Sequence, residues 1–141
     1  MIRWRDCLKK GLIRPDPLAK NRVPGSLEAA ERFLHAAENT LEIDEYEMAQ
    51  IAAYNSAFHS VRGVLFAGGY TERSHACLAV VLSELCRENK ELVRMGATLD
   101  KMRIARHNVQ YGGGLVKRDE AAFSVRFAAE LYEAVQGYLG P

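Results

Sequence analysis

The chain has 141 residues, 48% of them hydrophobic and 26% charged, with a formal net charge of +1. This composition belongs to an ordinary globular protein, and the length suits one domain with a real core rather than two. No apolar run reaches the ~18 residues of a membrane span, and the basic stretch MIRWRDCLKKG lacks the apolar segment of a secretory signal, so no membrane association is expected and the cytoplasm is the expected location.

Residues 2–13 are predicted to form a short amphipathic helix with Trp4, Leu8 and Leu12 on one stripe. The proline-punctuated stretch RPDPLAKNRVPGS then connects it to the rest. Ser26 is the expected N-cap of a second helix, whose apolar face carries Leu27, Ala30, Phe33, Leu34, Ala37 and Leu41. We therefore divide the chain into an N-terminal helix and connection over 1–25 and a helical-bundle domain over 26–141.

The stretch around which the chain is organised is DEYEMAQIAAYNSAFHSVRGVLFAG, from Asp44 to Gly68. Asp44 and Glu47 read as a capping box, and Gly68 with Gly69 as the stop. Ala49, Ala53, Ser56, Ser60, Gly63 and Ala67 fall on one side of this helix, all of them small, so a neighbouring helix or a second subunit should approach there. Tyr54, Phe58, Val61 and Leu65 make a large apolar side, and Asn55, His59 and Arg62 are set among Met48, Ile51 and Phe66 on a third. A helix apolar nearly all round belongs in the middle of a bundle. With almost no loop before it, the preceding helix should lie antiparallel against it.

Thr71 or Ser74 is expected to cap a further helix over TERSHACLAVVLSELCREN, and residues 89–96 read either as a bend or as a continuing, kinked helix. Thr98 is the expected cap of the next helix, closed by Gly112–Gly114, and a last helix spans about 119–139. No strand-like alternation is present. The fold class is all-α, an antiparallel up-and-down bundle of five to six helices.

Charge is unevenly spread: residues 1–22 carry seven Lys/Arg against two Asp, residues 26–50 seven Asp/Glu against Arg32, and residues 98–118 five Lys/Arg against Asp100. A local phosphate-binding face is compatible with this; a general nucleic-acid coat is not. The triple glycine of YGGGLVK lacks a GK[ST] ending and a preceding strand, so it reads as a helix cap and turn. His35, His59, His75 and His107 show no metal-ligand spacing, and neither a metal nor a cofactor is expected. Cys7, Cys77 and Cys86, odd in number and without a CxxC pair, are expected as buried free thiols in a reducing compartment.

The segment richest in chemistry is Arg103 to Gly112, RIARHNVQYG, in which Arg103, Arg106, His107 and Gln110 share a helical face. Guanidinium groups hold phosphate and imidazole moves protons near neutral pH, a kit that suits metal-free RNA cleavage. An arginine-rich last turn complementing the helix dipole, with Tyr111 packed as an anchor, accounts for the same residues without any ligand.

Three spaced motifs then give a resemblance: AAYNSAFHSVRGVLFAGGYTERSH, its Gly69-Tyr70 and Ser74-His75 pairs, and Arg106 with Tyr111-Gly112. Over roughly residues 26–139 the chain resembles the small prokaryotic branch of the HEPN domain family. The resemblance implies a helical bundle that forms a homodimer around a shared cleft, with RNA or a nucleotide as ligand. It also implies a minimal nucleotidyltransferase as partner in a toxin–antitoxin-like system. The nuclease members carry arginine, four to six intervening residues, then histidine; here Tyr111 stands after four intervening residues from Arg106, and only three separate Arg103 from His107. The site read from the residues and the resemblance together has Arg106, His107 and Tyr111 at its centre, with Asn55, His59, Arg62, His75 and Arg103 as nucleotide- or RNA-binding residues. Three readings stay open: a phosphate-binding partner domain, a metal-independent ribonuclease toxin with a variant motif, and a non-catalytic interaction module.

Overall fold

The structure, a computed structural model, describes residues 2–141. Among these, four long helices make a bundle: α2 (Val23–Glu42), α3 (Tyr46–Ala67), α6 (Lys90–Gly112) and α7 (Arg118–Leu139). Three short helices, α1 (Trp4–Lys9), α4 (His75–Leu78) and α5 (Val81–Leu85), a 3-10 turn over Ala19–Arg22 and two short strands, β1 (Ile13–Pro15) and β2 (Tyr70–Glu72), complete it. The all-α bundle expected from the sequence is the observed architecture, with α3 at its centre, touching α2, α4, α5, α6 and α7.

The small side of α3 meets α2 of the same chain. Ser56 Oγ donates to the Ala30 carbonyl at 2.8 Å, and Ser26 Oγ on α2 donates to the His59 carbonyl at 2.8 Å. A Cβ on Gly63 would stand 3.1 Å from Leu27 Cδ2, so any larger residue there would have to push the Leu27 side chain aside. On the side towards α7, buried Ser124 donates to Gln50 at 2.8 Å. These bonds satisfy polar atoms that would otherwise be buried at a cost of about 1–3 kcal/mol each.

Several local expectations are corrected. Helix α2 begins at Val23, ahead of Ser26, because Pro24 is preset for a first helical turn and the Ser26 hydroxyl is used on α3. Asp44 does not cap α3: Glu45 holds the N-cap position, and Asp44 sits left-handed at φ 61°. Its carboxylate accepts from Arg118 at 3.0 Å, tying the α2–α3 corner to the start of α7. The helix expected over 71–89 is divided into α4 and α5, with Thr71 in β2 paired with Arg14. Helix α6 starts at Lys90, where the Asn89 side chain accepts from Leu92 N at 3.1 Å, and Thr98 lies inside it. Gly113 (φ 69°) ends it, as the glycine run suggested.

The N-terminal helix is shorter than expected because residues 13–15 pair antiparallel with 70–72, in the register Ile13 with Glu72 and Pro15 with Tyr70. That pairing brings Cys7 beside Cys77, and the two are joined in a disulfide across 70 residues, contrary to the free thiols expected. Spacing in the sequence carries no trace of it. Cys86 is free and buried.

Candidate functional site

The large side of α3 presents Tyr54, Phe58 and Arg62, four residues apart in turn, to the segment that follows its glycine stop and to α6. Gly69, at φ 86°, reverses the chain so that β2 and α4 fold back over this side. Glu72 then accepts from Arg62 Nε at 2.7 Å, and His75 Nδ1 shares a 3.0 Å hydrogen bond with the Tyr54 hydroxyl. The His75 ring stacks on Phe58 with centroids 4.2 Å apart.

From the other side α6 delivers Arg106, whose guanidinium lies over the Tyr54 ring, 4.9 Å from its centroid. Arg106 Nη1 donates to Gln110 at 3.0 Å, while its buried Nε meets no acceptor among the described residues. Arg103 is held by Asp100 at 2.9 Å one turn earlier. His59, on α3, stacks on Phe33 (5.5 Å) and meets Phe58 edge-on (4.9 Å), and its buried Nδ1 has no partner.

The electrostatics follow from this packing. Burial pushes the Tyr54 phenol up, against the pull of Arg106 and Arg103, so it stays protonated. Burial lowers His59 to about 4, helped by Arg62, Arg32 and His75. His75 is exposed at its outer edge, yet the ring face against Phe58 is covered, and desolvation with the nearby Arg106 lowers it. Both histidines are therefore neutral at pH 7. Arg62 and Arg103 already have carboxylates; among the described residues none pairs with Arg106. An anion arriving at this face finds one uncompensated guanidinium and neutral donors around it.

Of the residues proposed from the sequence, the structure brings together Arg106, Arg103, His75, His59 and Arg62. His107 and Tyr111 lie on the exposed end of α6, tilted against each other with centroids 5.0 Å apart, and Asn55 is half-buried with no side-chain hydrogen bond among the described residues. The site also contains Tyr54, Phe58, Glu72 and Gln110, which the sequence reading left out of it. The sequence placed Tyr54 and Phe58 on the large apolar side and Arg62 on another, and Glu72 left no signal, because its place depends on the chain reversal at Gly69. A concavity of about 820 Å³ lies elsewhere, around Glu84–Lys90 and Tyr138, and is lined by acidic as well as basic groups, so it does not share this chemistry. Among the described residues no group of three or more His, Cys, Asp or Glu is placed to hold a metal ion, and no helix is long and apolar enough to cross a membrane.

Set against models of protein families, the chain matches that of the HEPN domain over residues 23–138, most of its length. The chain belongs to the HEPN family. HEPN domains are associated with RNA binding, nuclease activity and toxin–antitoxin roles, and they commonly dimerise. The matched span includes every residue of the site, from Phe33 on α2 to Gln110 on α6. No curated protein sequence matches this HEPN chain.

Proposed function

We propose that this HEPN domain binds the phosphate of a nucleotide or of RNA on the face formed by α3, α4 and α6, acting as a homodimer in the cytoplasm with a minimal nucleotidyltransferase as its partner. The observation that carries the reading is Arg106. Its guanidinium sits over the Tyr54 ring and is bonded to Gln110, yet its buried Nε meets no acceptor among the described residues. A pre-ordered, uncompensated arginine loses little side-chain freedom when a phosphate oxygen arrives, and the charge-assisted bond is stronger than a neutral one. His75 supplies a neutral ring beside it, and His107 and Tyr111 extend the face along α6.

Binding of a fluorescently labelled single-stranded RNA and of 5′-AMP, measured in EDTA, tests this. Arg106→Ala is expected to weaken binding by about tenfold or more while leaving the fold intact. Equal affinity in wild type and Arg106→Ala would end the reading.

A second reading, a metal-independent ribonuclease, is favoured by the contact of His75 with Tyr54 beside Arg106. A neutral His75 imidazole would take the 2′-hydroxyl proton, the 2′-oxygen would bond to phosphorus as the bond to the 5′-oxygen breaks, and the leaving 5′-oxygen would take a proton from water, giving a 2′,3′-cyclic phosphate and a 5′-hydroxyl. The same samples report it: RNA shortened by wild type but not by Arg106→Ala or His75→Ala supports cleavage, and intact RNA leaves binding alone.

A further inference from the structure

Residues 2–22 lie outside the span matched to the HEPN domain, yet they grip the segment that supplies two of the site's side chains. Strand β1 pairs with β2 through Ile13–Glu72, Arg14–Thr71 and Pro15–Tyr70. Arg73 N donates to the Leu12 carbonyl and Asp16 N to the Gly69 carbonyl, both at 2.8 Å. Trp4 meets Tyr70 edge-on at 5.2 Å, and the disulfide joins Cys7 on α1 to Cys77 on α4, with Cα atoms 6.1 Å apart. The gripped segment carries Glu72, which holds Arg62, and His75, which holds Tyr54. Cys77 is two residues from His75 on a helix of only four residues. So short a helix does not hold itself together, and its position is set by what it is fastened to.

We propose that the N-terminal segment is a positioning clamp for the phosphate site, and that the Cys7–Cys77 bond makes the clamp redox-sensitive. This rests on the phosphate-binding reading of the α3–α4–α6 face. In a reducing cytoplasm a disulfide is transient and serves to sense redox state. Oxidation by a low-molecular-weight disulfide such as oxidised glutathione proceeds by exchange: one protein thiolate attacks the glutathione disulfide and releases one glutathione thiolate. The second protein thiolate then displaces the other, so two cysteine thiols become one disulfide and one glutathione disulfide becomes two thiols. Both sulfurs are fully buried, so exchange proceeds from a locally opened state of α1, a six-residue helix whose Leu8 and Lys9 face solvent. With the bond closed, α4 is tied to α1 as well as packed on α3 and α6, and His75 is held on Tyr54; with it open, α4 keeps that packing and its link to β2 but loses the covalent tie to α1.

The test uses full-length protein in oxidised and in reduced glutathione, with thiols counted in each sample. Affinity for labelled single-stranded RNA and the imidazole NMR signals of His75 are the readouts. The oxidised protein is expected to show one free thiol, that of Cys86, and to bind RNA about three- to tenfold more tightly than the reduced protein, the effect of loosening one hydrogen-bonding group. Cys7→Ser should behave as reduced in both buffers, and Cys86→Ser should respond as wild type does. Should Cys7→Ser fail to fold, reduction of the wild type and Cys77→Ser carry the same comparison. A His75 signal that shifts on reduction while neither form binds RNA would leave the clamp standing and remove the phosphate-binding reading. Three free thiols in oxidised glutathione, or unchanged His75 signals and affinity on full reduction, would overturn the clamp.

Discussion

Helix α3 has two seams of opposite character. Against α2, the hydroxyls of Ser26 and Ser56 each end on a main-chain carbonyl of the facing helix, and Gly63 leaves room for Leu27. Against β2, α4 and α6, the same helix offers Tyr54, Phe58 and Arg62, and Arg106 Nε, which α6 brings to that face, is buried without a partner among the described residues. At the edge of this face His59 stacks on Phe33 of α2, its buried Nδ1 likewise unpartnered. Polar groups that serve folding find their partners inside the chain. The groups left over mark the side of the molecule that something else completes. Substitutions on the two seams should accordingly separate loss of stability from loss of binding.

The largest effect belongs to the tight seam. Gly63→Leu is expected to destabilise the protein by about 3 kcal/mol in urea unfolding, since even a Cβ there would stand 3.1 Å from Leu27 Cδ2. The fraction that remains folded should bind RNA as wild type does. Tolerance of leucine within about 0.5 kcal/mol would show that the α2–α3 contact is looser than the hydroxyl bonds imply.

That seam was legible in the sequence, because six small residues recurring at helical spacing admit few explanations other than a close helix neighbour. The central position of α3 and its glycine stop were legible for the same reason: periodicity and glycine chemistry are local. Asp44 misled because its carboxylate, well placed for a capping box, is spent on Arg118, 74 residues away. The β1–β2 pair and the Cys7–Cys77 bond left no signal, being three-residue strands and a contact over 70 residues. Within the site, Arg106 stood out by composition. Its platform Tyr54 and the Glu72 that fixes Arg62 became apparent only once the chain had turned back at Gly69.

Next in size is a pH effect on the polar seam. His59 titrates near 6.5 in the unfolded chain and near 4 in the fold. Between those values the unfolded chain holds the extra proton, so stability is fully present above about 6.5 and is lost as pH falls towards 4. The loss should be about 1–2 kcal/mol, allowing for partial exposure, and His75, lowered as well, adds in the same direction. Urea midpoints at pH 7.5 and 4.5 measure it, and His59→Phe should flatten the dependence. An unchanged slope in that variant would place the acid sensitivity on other groups.

Tyr54→Phe should act on the same seam with a smaller effect. It removes the hydroxyl that holds His75 Nδ1 and keeps the ring beneath Arg106, so about 1 kcal/mol of stability should go. The NMR titration of His75 should move at the same time, which a purely steric change would not produce. A His75 titration identical to wild type would mean that the hydrogen bond does not orient the ring.

The smallest effect is the sharpest test of the contrast, because one residue breaks the pattern. Ser60 is on the small side of α3, fully buried, and its hydroxyl has no partner, unlike Ser26 and Ser56. A buried hydroxyl without a partner contributes a desolvation penalty and no compensating bond, and alanine is also the better helix former. Ser60→Ala should therefore leave stability unchanged or raise it by about 0.5 kcal/mol, whereas Ser56→Ala, which removes a buried hydrogen bond to the Ala30 carbonyl, should lower it by about 1 kcal/mol. Thermal and urea unfolding of the two variants side by side decide the matter. A loss in Ser60→Ala equal to that in Ser56→Ala would mean that the Ser60 hydroxyl is satisfied in solution, and a buried polar atom of α3 could then no longer be assigned to folding or to binding by its partners within the chain.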